Sequence, residues 1–443
     1  MLSKRKFLFL SLVVVTAASA LVAASVGGAN ATGGASKAAA SGAITVWVDA
    51  VRLPAAQKYI KTHPKVKVKL VTYDGDGNGA TTLQAKIQLW NRVGKGWPDV
   101  IFTEQANDPV WMASKPFDYA APVNGLVPAK ILKGIPAPSR AQCTVNGREI
   151  CVQDNLAQTV LWYDKTLMNK FGYAVPTTWQ QWAALGEKVA KEHPGYIIGN
   201  TGDSYSHWVY LWAGQCPLSQ VLKNGSVRIN SGQSHCTRMA SLLDPLIANG
   251  ATPPENIFTP AFAQKYGGAD PKVLMMPGPT WYAKDVFSGT LKIPAGHMTA
   301  AMPLRWNNEA PITTGQVGGG PWVISRHSKN STAAGDFVTY VMSAPFVKDT
   351  APGYPSYAPA AVRWLTKLGK DPYFASNPAK PMIAASALVW KGWSMVTYPD
   401  QPVWSNTVVT QLVGGKSLTS QMPALGDELA KAAQAAGYKV VRK

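Results

Sequence analysis

From residue 44 onward, the hydrophobic positions alternate between strand spacing and helix spacing. Ile44–Val48 and Val66–Val71 have the pattern of strands, and the apolar run Val100–Phe102 is typical of a short buried strand. Ala55–Thr62 and Thr81–Val93 are predicted helices, the second with its apolar residues on one stripe. This order of strands and helices predicts a parallel sheet with right-handed crossovers, which is a doubly wound α/β lobe.

A second set of elements follows. Val160–Tyr163 is a predicted strand, and a predicted helix opens at Pro176 and continues to about Ala190. Thr178 and Gln181 have the spacing of a capping box, in which each side chain bonds a free backbone N–H of the first turn. Further helices are predicted at Tyr205–Ala213, Met239–Ala248, Ala333–Met342 and Thr407–Leu412, and a last amphipathic helix places Met422, Leu425, Leu429 and Ala433 on one face.

The composition indicates a folded protein with more than one domain. A chain of 443 residues is too long for a single core, so two or three domains are expected. With 46% hydrophobic and 15% charged residues, the chain has ample apolar surface to bury, which argues against disorder. Only Phe7–Val26 is apolar enough to span a bilayer, which excludes a multi-pass membrane protein.

The N-terminus has the arrangement of a secretory signal. The basic residues 4–6 precede the apolar run 7–26, and residues 29–31 (Ala-Asn-Ala) form a small-x-small cleavage site. We expect residues 1–31 to be a signal peptide and residues 32–43 a flexible linker, with the protein exported to the cell envelope or beyond. Because the apolar run has about 20 residues, an uncleaved anchor is the alternative.

The four cysteines agree with export, since an oxidising compartment permits disulfides and their spacing contains no CxxC pair. Three pairings are possible, and we favour Cys143 with Cys151 and Cys216 with Cys236. A turn near Asn146 would bring the first pair together. The alternative is four buried thiols.

The chain is strongly basic, with 43 Lys and Arg against 24 Asp and Glu and a net charge of +19. Such a charge could attract an anionic ligand, an anionic cell envelope or nucleic acid. The basic residues are scattered, however, and the densest group is Lys65, Lys67 and Lys69 on one strand. A solvated basic surface is the preferred interpretation, and no nucleic-acid partner is expected.

Polar side chains follow the predicted strands of the first lobe at their carboxyl ends, which is where doubly wound folds bind ligands. These ends are residues 49–53, 74–79 and 103–108. Their candidate ligand-binding residues are Asp49, Arg52, Glu104, Gln105, Asn107 and Asp108.

Several stretches carry a resemblance to a known family through their order and spacing. They are Ile44–Val48, Gly96–Phe102, Leu161–Lys165 leading to Pro176–Trp179, Gly318–Gly320 followed by Val323–Ser325 and Ser328–Asn330, and Gly414–Ser417. The chain resembles the extracellular solute-binding proteins of ATP-binding-cassette importers, in the carbohydrate-binding branch that includes maltose-binding proteins. The resemblance covers nearly all of residues 44–443.

This resemblance implies a type II periplasmic-binding-protein-like fold, in which two doubly wound α/β lobes close like a hinge on a ligand in the cleft between them. The N-terminal lobe would hold residues 44–154 and 304–351, and the C-terminal lobe residues 155–303 and 352–443. It further implies a monomeric, non-enzymatic receptor without a cofactor, whose partners are a carbohydrate and the permease subunits of an importer. Thr103 stands where maltose-binding proteins have an aromatic residue, so maltose is not the expected ligand.

A sugar offers hydroxyl edges, which pair with carboxylates, amides and Arg, and C–H faces, which lie flat on aromatic rings. The strand-end residues Arg52, Glu104 and Asn107 are therefore candidates for binding, together with Asp154 and Asn155 at the cleft floor. Where the sequence matches the family's motifs, the resemblance adds Asp203, Tyr205, Trp281 and Trp404, with Thr280 as the alternative to Trp281, and Gly319 as a point of close backbone approach.

Three other motifs fail on their spacing. Asp74–Gly79 resembles the opening of an EF-hand loop, but Ala85 stands where the bidentate acid belongs, so no metal site is expected. The chain has no GxSxG motif, and Gly415–Ser417 lacks the earlier glycine of a P-loop. Two functional alternatives stay open: a secreted glycoside hydrolase that uses two of the same carboxylates, and a capture protein for anionic polysaccharides.

Overall fold

The computed structural model describes residues 42–75, 81–145, 147–307, 309 and 311–442. The predicted signal peptide, most of the predicted linker, the strand-end residues 76–79 and Asn146 of the predicted turn lie outside the described residues. Within the described range, no helix combines the length and the hydrophobicity that a membrane crossing requires.

The strands and helices alternate from residue 42 to residue 102, as the hydrophobic pattern predicts. The strands are β1 Gly42–Val48, β2 Val66–Thr72, β3 Val100–Phe102, β4 Thr144–Val145, β5 Arg148–Glu149, β6 Val152–Gln153, β7 Asn155–Leu156, β8 Thr159–Asp164, β9 Ser219–Val221, β10 Val227–Ile229, β11 Met275–Pro279, β12 Met298–Ala301, β13 Pro321–Ile324, β14 Tyr354–Pro355 and β15 Val440–Arg442. The α-helices are α1 Leu53–Thr62, α2 Thr81–Val93, α3 Asp108–Met112, α4 Ala129–Lys133, α5 Ala137–Gln142, α6 Lys165–Phe171, α7 Trp179–Glu192, α8 Ser206–Ala213, α9 Ser234–Ala248, α10 Pro260–Tyr266, α11 Ser331–Ser343, α12 Pro345–Asp349, α13 Ala358–Leu368, α14 Ala379–Ser386, α15 Asp400–Trp404, α16 Thr410–Val413 and α17 Leu418–Ala435. Two segments, Ala283–Thr290 and Ser405–Val409, are π-helical.

The first sheet contains β2, β1, β3, β13 and β6, in that order. β1 pairs in parallel with both β2 and β3, so that Val46 lies opposite Leu70 on one side and Val100 on the other. β13 and β6 join in antiparallel orientation. The sheet is therefore parallel over its first three strands and mixed overall, because β13 arrives from a distant part of the chain.

Two hydrophobic clusters cover the faces of this sheet, and together they form the core of the first lobe. Phe102 packs in a cluster with Tyr59 of α1 and Phe337 of α11, whereas its neighbour Ile101 packs in a cluster with Ile87 of α2. Successive side chains of a strand point to opposite faces, which is why β3 serves both clusters. All five residues are completely buried.

The second lobe packs around a third and larger cluster that includes Trp162 of β8. One of its sheets has the order β11-β8-β12 and is antiparallel, unlike the first three strands of the first lobe, and another has the order β15-β10-β9. Leu304 and Val317 belong to this cluster, whereas Trp322 belongs to the first lobe. We therefore propose that the chain returns to the first lobe between Val317 and Trp322, later than the boundary at residue 304 expected from the sequence.

Three described segments cross between the two lobes. Residues 155–159 and 315–320 run antiparallel: the Asn155 N–H donates to the Gly319 carbonyl at 2.8 Å, and the Val317 N–H donates to the Ala157 carbonyl at 3.0 Å. The third segment contains β14, which pairs with β7. Paired crossing strands of this kind form the hinge of the two-lobe fold.

The two favoured disulfides, Cys143–Cys151 and Cys216–Cys236, are both present. The first spans the small ribbon of β4 and β5. The second joins partners 20 residues apart in sequence and contributes about 3 kcal/mol by restricting the unfolded chain.

Of the two hydrogen bonds in the capping box predicted at the start of α7, the structure contains one as expected. The Gln181 N–H donates to Thr178 Oγ1 at 3.1 Å, which places Thr178 at the N-cap. The second hydrogen bond is displaced by one residue, because Gln181 Oε1 accepts from the Thr177 N–H at 2.9 Å rather than from the N–H of the N-cap residue Thr178.

Candidate functional site

A cavity of about 390 Å³ lies where the two lobes and the crossing segments meet. This volume is in the range of small-molecule binding sites, roughly 300–1,000 Å³. The lining residues are Val51, Arg52, Asp74, Glu104 and Gln105 from the first lobe, Tyr205, Asn256, Phe258, Trp281 and Asp285 from the second lobe, and Asn155, Val317, Gly318, Gly319, Gly320, Pro352 and Gly353 from the crossing segments.

Arg52 lies immediately before α1 and is held by acidic partners. Its Nη1 donates to Asp49 Oδ2 at 2.7 Å, and its Nε lies 3.6 Å from Asp154 Oδ2. The guanidinium carbon lies 4.3 Å from the centroid of the Phe102 ring. Arg52 therefore presents donors to the cavity in a fixed orientation, while its charge is already shared between two carboxylates.

Glu104 follows β3 and is the most perturbed acid of the cavity. Burial raises its pKa to about 8; Arg52 opposes this effect, and Asp49 and Asp285 add to it. Burial also raises the pKa of Asp285, again with Arg52 opposing. Glu104 and Asp285 are thus both favoured in their ionised forms by the same guanidinium, and the lining of the cavity contains more acidic than basic side chains.

The second lobe contributes a wall of aromatic rings. Trp281 lies in the turn between β11 and the π-helix Ala283–Thr290, and its ring centroid is 6.3 Å from Phe258 and 5.9 Å from Tyr205. Its Nε1–H donates to the Val317 carbonyl at 2.9 Å. That hydrogen bond connects the aromatic wall to a crossing segment, so the ring has a defined orientation at the hinge.

The floor of the cavity is formed by backbone and by Asn155. Gly319 has a φ of +96°, and a Cβ there would lie 2.4 Å from Gln153 Nε2 and 2.6 Å from the Asn155 carbonyl oxygen. Glycine is therefore required at this position because the backbone lies close to other atoms of the protein. The Asn155 side chain is 3% exposed, and among the described residues its Oδ1 has no hydrogen-bond donor.

Of the residues expected from the sequence to bind a ligand, the structure brings seven together around this cavity: Arg52, Glu104, Gln105, Asn155, Tyr205, Trp281 and Gly319. Thr280, the alternative to Trp281, is buried and donates to the Leu156 carbonyl at 2.8 Å, so Trp281 is the residue that faces the cavity.

Six of the expected residues lie outside the lining. Asp49 accepts from Arg52 Nη1 at 2.7 Å, and Asp108 accepts from Trp111 Nε1 at 2.9 Å. Four more also lie outside it. Trp404 is 2% exposed and stacks on His207 with the ring centroids 5.2 Å apart. Asp154 lies behind Arg52 and accepts from Trp322 Nε1 at 3.2 Å. Asn107 is buried at the N-cap of α3. The fourth, Asp203, accepts from the Ile257 N–H at 3.0 Å and so supports the loop that carries Phe258.

Sequence reasoning did not single out Asn256, Phe258 or Asp285. They come from a loop between helices and from a π-helix, far from any predicted strand end. No local pattern marks them, because their position depends on how the second lobe packs. Within the described residues, no group of three or more His, Cys, Asp or Glu is arranged to hold a metal ion.

The buried carboxyl of Asp203 should make stability depend on pH. Burial raises its pKa to about 7, although the hydrogen bond from the Ile257 N–H opposes the shift. An unfolded Asp titrates near pH ~4, so between about pH 4 and pH 7 the unfolded chain loses a proton that the folded protein keeps. The free energy of unfolding therefore falls as pH rises through this window.

Asp203→Asn removes this titration. We expect the variant to gain on the order of 3 kcal/mol relative to wild type between the acidic and the neutral end of the window, measured by urea unfolding. Asp118→Asn, at an exposed carboxylate, is the control and should show no such gain. A constant difference between Asp203→Asn and wild type at both pH values would contradict the prediction.

The family described as bacterial extracellular solute-binding protein matches residues 45–348. The chain belongs to this family. Members of the family act outside the cytoplasm as solute receptors, which agrees with the two-lobe fold and the cavity at the hinge. No protein with a curated description matches the sequence.

Solved structures of ABC-transporter binding proteins share the fold of this solute-binding protein. A binding protein from B. animalis subsp. lactis Bl-04, in complex with beta-1,6-galactobiose, has a TM-score of 0.74 and 18% identity over 90% of this chain and 99% of its own. The galacto-N-biose-/lacto-N-biose I-binding protein of Bifidobacterium longum, in complex with lacto-N-biose, also has a TM-score of 0.74, with 15% identity over 90% and 98% of the two chains. Maltose-bound MalE3 of T. maritima has a TM-score of 0.67 and 17% identity over 88% and 99%.

Proposed function

We propose that this solute-binding protein is the receptor for a sugar or oligosaccharide and delivers it to an ABC importer. The observation that carries the proposal is the composition of the cavity: an aromatic wall on the second lobe faces carboxylates, amides and a guanidinium on the first lobe. Aromatic faces stack on sugar C–H groups, and the polar groups pair with hydroxyls. The oligosaccharides bound by structurally similar receptors support the same ligand class.

Closure of the two lobes is the proposed signal to the importer. A ligand that contacts both walls binds the closed form better than the open form, and its differential affinity shifts the population toward closure. The crossing segments 155–159 and 315–320 carry the hinge. We propose that the permease subunits recognise the closed form, and that the receptor acts as a monomer exported by the N-terminal signal peptide.

We further propose that the protein is not an enzyme. A glycoside hydrolase would use two carboxyl groups on either side of the bond to be cleaved, one to protonate the leaving oxygen. The proposal of a receptor is supported instead by the family, which is described as solute-binding, and by structurally similar proteins described as binding proteins. A capture protein for anionic polymers is disfavoured because Arg52 is the only basic side chain among the described residues of the lining, and its charge is already offset by Asp49 and Asp154.

A single experiment separates these functions. The purified protein is incubated with neutral oligosaccharides, and both the melting temperature and the release of reducing ends are measured. We expect at least one oligosaccharide to raise the melting temperature without product formation, because a ligand that binds only the folded state stabilises it. Turnover would favour the hydrolase, and binding of polyanions that disappears with salt would favour the capture protein.

A further inference from the structure

We infer that the preferred ligand is a saccharide that carries a protonated amino group, which the cavity binds between the acidic groups and the aromatic wall. This inference rests on the proposed function and narrows its ligand class. It is carried by the charge balance, the aromatic rings and the hydrogen-bonding character of the lining.

Acidic side chains outnumber basic ones in the lining of the cavity. Asp74, Glu104 and Asp285 all line it, and among the described residues Arg52 is the only basic side chain in the lining. The Arg52 guanidinium is itself paired with Asp49 at 2.7 Å and approaches Asp154 at 3.6 Å. Its positive charge is thus already offset, and the lining acids outnumber the cations in a protein that carries a net charge of +19 overall.

Other basic groups do not correct this imbalance at the cavity. Lys284, next to Asp285 in sequence, is exposed and lines a separate cavity. It attracts Asp285, but burial outweighs the attraction of both Arg52 and Lys284 and raises the pKa of the Asp285 carboxyl. A cation inside the cavity would supply the missing countercharge, and it would favour the ionised forms of Glu104 and Asp285.

The aromatic wall fits the same ligand. Tyr205, Phe258 and Trp281 lie within 6.5 Å of one another by ring centroids. An ammonium group near the face of an aromatic ring is attracted by the ring's quadrupole, and the attraction is stronger where water is excluded. Sugar C–H groups stack on the same faces, so one wall can serve both parts of an amino sugar.

The floor of the cavity offers an acceptor. Asn155 is almost completely buried, and its Oδ1 has no donor among the described residues. A buried acceptor without a donor costs free energy until a ligand satisfies it. An ammonium group has three donors and no acceptor, whereas a carboxylate would add further acceptors to a site that already has an excess.

The test compares sugars that differ at one group. Glucose, galactose and cellobiose are each titrated beside the matching amino sugar (glucosamine, galactosamine and the β-1,4-linked glucosamine dimer) and the matching N-acetyl sugar. Binding is measured by isothermal titration calorimetry in low-salt buffer near neutral pH. We expect the best-bound amino sugar to bind at least tenfold more tightly than both its hydroxyl and its N-acetyl counterpart. The N-acetyl sugar is the essential comparison, because it keeps the nitrogen and removes the charge.

Substitutions of single acidic residues then show which side chains produce the preference for the amino sugar. Asp285→Asn and Glu104→Gln should each reduce the preference for the amino sugar at least fivefold, whereas Glu428→Gln, at an exposed acid on α17, should leave it unchanged. If a neutral or N-acetyl sugar binds as well as its amino counterpart, or better, the inference is overturned and the proposed function stands. If no sugar of any charge binds, both are overturned.

Discussion

Replacing Trp281 with alanine is expected to weaken saccharide binding by about 2 kcal/mol, or roughly thirtyfold in Kd. The indole is the largest ring on the cavity wall, and its hydrogen bond to the Val317 carbonyl joins the second lobe to a crossing segment. The substitution removes the surface on which a sugar face would stack and the contact that orients it. Calorimetric titration of the best ligand from the thermal-shift screen measures the change.

The matched control is Trp97→Ala. Trp97 is also a half-buried indole, but it donates to Asn91 and stacks on His327 in the first lobe, outside the cavity lining. Its loss should leave the Kd within about threefold of wild type. Trp281→Phe should recover part of the affinity. Wild-type affinity in Trp281→Ala would remove this ring from the binding surface, and an equal loss in both alanine variants would indicate a general loss of structure.

Replacing Arg52 with methionine is expected to lower the free energy of unfolding by about 3–5 kcal/mol and to abolish saccharide binding. Methionine fills part of the same volume but leaves the buried carboxylates of Asp49 and Asp154 without their cation. Removing one partner of a buried ion pair costs more than the pair contributes, because the remaining charge is uncompensated. Urea unfolding at neutral pH measures the loss of stability.

Arg326→Met provides the control for this second prediction. Arg326 pairs with Asp118 at the surface, where both side chains are more than a third exposed. Solvent screens such a pair, and its loss should cost no more than about 1 kcal/mol. Arg52→Lys tests the geometry separately, since lysine keeps the charge but lacks the planar fork that reaches both carboxylates. A change of less than about 1 kcal/mol in Arg52→Met would show that Asp49 and Asp154 do not depend on this cation.

Much of the first lobe could be predicted from local sequence patterns. The strands β1 to β3 and the helices α1 and α2 were expected within two residues of their observed bounds, because side-chain periodicity and turn residues act over a few neighbouring positions. The position of Arg52 and Glu104 at the cavity follows from the same patterns, since the ends of parallel strands meet at one edge of a sheet.

Which residues of the second lobe line the cavity was harder to predict from the sequence, and Trp404 shows why. A tryptophan near the end of the chain matched a stacking residue of the family, yet its ring packs against His207 in the core. Phe258 had no such match and lines the cavity. Both outcomes depend on which helices cover which rings, and that is a property of long-range packing.

The sequence by itself predicted the order of strands and helices at the start of the first lobe and the polar strand ends, and it favoured the two disulfide pairings that the structure contains. Each of these depends on residue type and short-range spacing. Only the tertiary structure decided that β13 enters the first sheet antiparallel, that Asp285 joins Glu104 at one cavity, and that Trp281 rather than Trp404 faces it. These features depend on contacts between segments that lie far apart in the chain, and the burial of a side chain is set by those contacts.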